Sequence, residues 1–232
     1  MITNRTAKQC GHADYGWLQA RYTFSFGHYF DPDMLRYASL RVLNQEVLAV
    51  GAAFQPRAYP AVDILNLILQ GHAEYRDSEG NHTQANTGEA LLLSGQTGVN
   101  YSEHNIGSTP LTRMQLWLDA CPTRENPLIQ RLTLPSLPHV LLASPDGEQK
   151  SIQLRQQAWI HHISLAAGQS LTLEMAGSRA YLQSIFGSMD IDNSQAKLTS
   201  LTCGDGAFIL DEPHICVRAL TPLRALLIDL AG

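Results

Sequence analysis

The chain has 232 residues, 44% of them hydrophobic and 16% charged, a balance that gives an ordinary globular fold with a real core and excludes a disordered chain. Sixteen Lys and Arg against 21 Asp and Glu leave a net charge of −5 without a basic cluster, which argues against general binding of nucleic acid or anionic membrane. No apolar run approaches the roughly 20 residues of a membrane-spanning helix, and Met1 to Cys10 lacks the apolar stretch of a signal peptide.

From Gly11 to Tyr29 the sequence is rich in glycine and aromatics, and Tyr22, Phe24 and Phe26 alternate with Thr23 and Ser25 as on a strand. Asp31-Pro32-Asp33 then supplies turn chemistry. Strands are expected at 40–48, 63–69, 72–76, 82–85, 89–93 and 111–118, with turns at Asp77 to Asn81 and Asn86 to Gly88. No long amphipathic helix is evident.

Pro122, Pro127, Pro135, Pro138 and Pro145 punctuate a stretch expected to be a linker over 121–145, with room for one short helix. Strand texture returns at 151–154, 158–165, 170–175, 180–186, 197–201, 207–210, 214–219 and 224–230. Closely spaced short strands with glycine turns imply an all-β protein of two barrels, 1–120 and 146–232.

Gly51, then five residues, Arg57-Ala58-Tyr59, Asp63 and Gly71, followed by Tyr101 and Asn105, has the spacing of a cupin motif pair. His12 to Leu18, Thr23 to Phe26, Tyr75 to Asn81, Gly98 to Glu103 and Leu226 to Leu230 extend the likeness, and the chain resembles the pirin family. The resemblance implies a bicupin, two stacked antiparallel β-barrels of the double-stranded β-helix or jelly-roll type. Pirins hold an iron-type metal with three histidines and a glutamate; some resemble quercetin dioxygenases, and others act as transcriptional cofactors. Mapped onto this chain, the three histidine positions are Arg57, Tyr59 and Tyr101, and only the glutamate, Glu103, is retained.

Guanidinium is permanently charged and has no lone pair to give a metal. A phenol with an ordinary pKa near 10 is a poor ligand for ferrous iron. No metal and no cofactor is therefore expected, and dioxygenase activity is not. Two readings of Arg57, Tyr59, Tyr101 and Glu103, supported by Asp63 and Asn105, stand side by side. One is a pocket for a small anion or carboxylate. The other is a retired cavity in which Arg57 pairs with Glu103 or Asp63, since a buried carboxylate needs a countercharge.

His72, His82 and His104 lie close in sequence, but alternation turns His104 away from Glu103. By the same rule at most one of His161 and His162 faces a cavity. The four scattered cysteines, without any CxxC pair, fit a cytosolic protein with reduced thiols. Cys10 and Cys121 are the expected accessible, redox-candidate thiols. A monomer is expected. An atypical metal-dependent oxygenase and a cofactor acting through an unidentified protein partner are the alternatives.

Overall fold

The computed structural model describes residues 1–95, 97, 99–192 and 198–232. The chain is all-β: among these residues the only helical pieces are 3₁₀ turns at Ala7–Gln9 and Glu148–Lys150. Lys197, the expected start of one strand, and Gly98 of the motif pieces lie outside the described residues. No helix among those described is long and apolar enough to cross a membrane.

Two compact units form the two cupin domains. The first comprises residues 11–134 and 152–156. Its larger sheet runs Ile129–Thr133, Glu89–Ser94, Val62–Gln70, Leu111–Asp119, Leu40–Leu48, Leu18–Tyr22, Gly11–Asp14. Its smaller sheet runs Ala53–Ala58, Asn100–Asn105, His72–Asp77, His82–Asn86. The core lies between the inner faces of the two sheets, where Ile64, Ile68 and Leu91 of the larger meet Ala73, Tyr75 and Ala85 of the smaller. Period-two alternation assigns those faces: Leu18, Ala20 and Tyr22 are buried while Gln19 is exposed.

The second unit comprises residues 1–10, 135–151 and 157–232. Its larger sheet contains Ile2–Arg5, Gly206–Leu210, Arg179–Phe186, Leu223–Leu230, Ala158–Leu165 and His139–Ser144 in that order. Ser170–Glu174, His214–Ala219, Met189–Asp192 and Leu198–Leu201 make the smaller sheet. Leu223–Leu230 is a central strand here, which explains its almost continuous burial.

Each unit is a pair of facing sheets, the jelly-roll form of the expected cupin fold. Other details of the expected layout are corrected by this topology. The strand through Tyr22 stops there, because Ser25 and Asp31 close a local loop: Ser25 Oγ donates to the Asp31 carbonyl at 2.8 Å and accepts from the Asp31 amide at 2.8 Å. Ile2–Arg5 pairs with Gly206–Leu210 in the second unit. The stretch expected as a linker holds two strands, Ile129–Thr133 on Glu89–Ser94 and His139–Ser144 on Ala158–Leu165. Pro127 and Pro135 bracket the first of these and leave its ladder intact.

The stretch around Pro56 is a strand at the edge of the smaller sheet. Tyr101 pairs with Arg57 and Glu103 with Phe54, so Gln55 and Pro56 together oppose Ser102 as a bulge. Proline is tolerated where the ladder is already interrupted. Gly71 turns Val62–Gln70 into His72–Asp77 at φ +94°, and a Cβ there would meet the Pro110 carbonyl oxygen at 2.9 Å. Only glycine fits.

Candidate functional site

Glu103 is fully buried between Phe54 and Tyr75 on the smaller sheet. Across the core, Arg113 and Glu46 face it from paired positions on two neighbouring strands of the larger sheet. Alternation along Leu111–Asp119 sends Arg113, Gln115 and Trp117 inward together. The result is an ion network that spans the two sheets.

Arg113 stands at its centre with no exposure to solvent. Its Nη1 donates to Glu103 Oε2 and to Tyr75 Oη at 3.0 Å, while Nε and Nη2 donate to Glu46 Oε2 at 3.1 and 2.7 Å. Asn44 donates to the other Glu46 oxygen at 3.2 Å. Burial would pull the guanidinium down, but Glu103, Tyr75 and Glu46 together hold it well above the ordinary arginine range.

Glu103 accepts on both oxygens. Tyr59 Oη donates to Oε1, joined by Arg57 Nη2 at 3.5 Å, and Gln115 Nε2 reaches Oε2 at 3.4 Å beside Arg113. Burial pushes this carboxyl up; Arg113 first, then Arg57 and the bonds from Tyr59 and Arg113, bring it below the usual glutamate range. It is ionised at neutral pH. Tyr59 goes the other way: burial, then the Glu103 charge, raise its phenol well above the usual value. It stays a neutral donor.

Arg57 closes the outer end. Its Nε donates to Tyr59 Oη at 3.1 Å, and its guanidinium lies 4.5 Å from the Phe54 ring centroid and 5.3 Å from that of Tyr59. The side chain is one-third exposed, and its Nη1 donates to no described residue. Around it stand Trp117 at 5.0 Å from Tyr59, Phe26 at 5.5 Å from Trp117, and Trp17 at 5.1 Å from Phe54. A cation thus sits in an aromatic rim.

The structure therefore brings together Arg57, Tyr59 and Glu103. It does not bring in the rest. Tyr101 touches Tyr59 ring to ring at 5.5 Å, but its hydroxyl donates to the Ser94 carbonyl at 3.3 Å. Asp63 pairs with Arg155, accepting from its amide at 2.6 Å and its Nε at 2.8 Å, not with Arg57. Asn105 ties loops, donating to the carbonyls of Leu48, Ala49 and Thr109 at 3.2, 3.0 and 2.9 Å. The members missing from the sequence reading are Arg113, Glu46, Tyr75 and Gln115. A charge at 113 inside an apolar, alternating strand was the available signal.

The histidines are engaged elsewhere: His104 with Ser102 Oγ at 3.0 Å, His72 with Gln84 at 3.2 Å and His82 with Glu74 at 2.7 Å. Cys10, expected to be accessible, is buried, because it follows the 3₁₀ turn and its thiol points back to the Thr6 carbonyl at 3.7 Å. Cys203, not among the thiols expected to be accessible, is exposed on its turn. Cys121 is half-buried, 3.3 Å from Thr123 Oγ1, and the bonds with Thr123, followed by Arg124, lower its thiol pKa.

A resident iron-type metal does not fit these residues. The positions assigned to imidazoles carry a guanidinium and two protonated phenols, and the carboxylate already accepts four donors. Among the described residues no group of three or more His, Cys, Asp or Glu is arranged to hold a metal ion.

Comparison with known proteins gives a consistent frame. The family model described as Pirin matches residues 3–118, and that described as Quercetinase C-terminal cupin domain matches 141–230. The chain is 68% identical to Pirin-like protein YhaK of Escherichia coli (strain K12) over 231 residues, 99% of each chain. It is 31% identical to a Quercetin 2,3-dioxygenase of the same organism over 236 residues, again 99% of each. The crystal structure of YhaK from Escherichia coli superposes with a TM-score of 0.84 at 67% identity, covering 97% of this chain and 100% of that one. The nickel(II) complex of the bacterial pirin YhhW from Escherichia coli superposes with a TM-score of 0.92 at 29% identity, covering 100% of both.

Proposed function

Given that the chain belongs to the pirin family, we propose that it is a cytosolic pirin-like protein whose first cupin binds a small anion and no longer carries oxygenase chemistry. The observation that supports this reading is the Arg113 guanidinium held between Glu103 and Glu46. A cation built into the chain supplies the charge that a metal would otherwise bring to Glu103. Arg57, with unused donors inside an aromatic rim, is the group that meets the ligand, and a planar carboxylate matches its fork.

Protein from medium supplemented with iron and nickel is expected to carry no metal that Glu103→Gln removes, and to consume no flavonol when Fe(II) or Ni(II) is added. Benzoate is expected to change tryptophan fluorescence in the wild type and not in Arg57→Ala. Stoichiometric metal lost with Glu103→Gln, or flavonol turnover, would sink the oxygenase part; an equal benzoate response in Arg57→Ala would sink the anion part.

A second reading, redox response, is favoured by Cys121, whose thiol is accessible and acidified by its neighbours. Limiting iodoacetamide followed by peptide mass mapping is expected to label Cys121 before the more exposed Cys203. Equal labelling of the two would remove the basis for a special thiol.

A further inference from the structure

His161 shares its strand face with Ile163 and Leu165, both in the core of the second unit. His139, on the neighbouring strand, is in register with Ile163, so the two imidazoles are diagonal neighbours on one face. His139 Nε2 and His161 Nδ1 are 2.9 Å apart. The ring planes differ by 25° and the centroids are 5.1 Å apart. That separation is close to the nitrogen contact plus the two centroid-to-nitrogen radii, so the rings meet edge to edge with the two nitrogens facing in line. His162 faces the other side of the sheet, as alternation requires.

We propose that His139 and His161 form a two-imidazole site for a square-planar or octahedral transition-metal ion, of the Cu(II) or Ni(II) class, held between the facing nitrogens. Facing lone pairs are the arrangement of trans ligands, which these ions accept and tetrahedral Zn(II) does not. A metal–nitrogen bond is about 2 Å, so trans imidazoles stand about 4 Å apart and the present contact must open by roughly 1 Å. His139 is partly exposed at the start of its strand, just after Pro138, which leaves its ring room to swing. Water completes the coordination, since no third His, Cys, Asp or Glu joins the pair among the described residues.

The protonation states suit the role. Burial, and then His139, lower His161 to about 4, and burial lowers His139 as well, so both rings are neutral at pH 7 and each has one lone pair. In the present contact one facing nitrogen is an N–H and the other accepts. On metal binding the donor ring moves that proton to its far nitrogen through solvent, and no net proton is lost.

Isothermal titration of the full chain with NiCl₂ at pH 7 tests the site. One equivalent is expected to bind, with affinity at least tenfold weaker in His139→Gln and in His161→Gln, and unchanged in His104→Gln and Glu103→Gln. Glutamine keeps a polar side chain of similar reach, and circular dichroism without nickel confirms that each variant is folded. Absence of nickel binding, or wild-type affinity retained in either His variant, overturns the proposal. Loss of nickel only in Glu103→Gln would instead place the metal in the first cupin and count against the proposed function.

Discussion

Replacing Arg113 with alanine is expected to destabilise the chain by about 3–5 kcal/mol, the cost of removing one partner from a buried ion network. The substitution leaves two buried carboxylates, Glu46 and Glu103, facing one another across the core, and removes the donor to Tyr75. Urea denaturation should show a lower midpoint with little change in the slope. A compensated variant, Arg113→Met with Glu46→Gln and Glu103→Gln, is expected to recover most of the loss, because an uncharged network of similar volume avoids stranded charge.

The pH dependence gives an independent reading. In the wild type the folded-state pKa of Glu103 is lowered, so its contribution is present above the unfolded value near 4.3 and is lost as pH falls through the folded one. Without Arg113 the main opposing charge is gone and burial dominates, so the gap between wild type and variant should narrow as pH falls. A cost below about 1 kcal/mol, the level of an exposed ion pair, would show that Arg113 does not organise the first cupin.

Asp63→Ala is expected to cost about 2–4 kcal/mol. Asp63 is completely buried, and its two oxygens accept from the Arg155 amide and Nε, with Asn126 Nδ2 at 3.4 Å. Arg155 also donates from Nη2 to the carbonyls of Val62 and Gly95 at 2.9 and 3.1 Å. Those bonds survive the substitution, which keeps the cost below that of Arg113→Ala. Asp63 thus fastens the short segment 152–156 to the first unit's larger sheet. Limited proteolysis should cleave the variant within that segment faster than the wild type, and Asp63→Asn, which keeps one acceptor oxygen and loses the other along with the charge, should fall between. Equal cleavage and a cost under about 1 kcal/mol would remove the fastening role.

What the sequence revealed and what it hid follow from one physical distinction. Strand periodicity and turn residues are local, so Leu40–Leu48 and Val62–Gln70 are legible within a residue or two. The Arg57, Tyr59 and Glu103 cluster is legible because a fixed motif spacing places those positions on adjacent strands. Arg113 is different. It meets Glu103 through the packing of one sheet on another, and an arginine in a strand is usually exposed. Tyr101 holds the expected position but turns its hydroxyl to Ser94, a choice set by tertiary neighbours. Cys10 is hidden for a similar reason: the polar text around it gives no sign of the fold that buries it.

The bulge opposite Ser102 has a consequence for the molecule's behaviour at high concentration. Ala53–Ala58 is the outer strand of its sheet, and such a strand usually offers a row of unused amides to a second chain. Here Pro56 has no N–H to offer, and the doubled residues twist the strand out of regular register. The distortion beside Arg57 therefore also disfavours edge-to-edge aggregation along that strand.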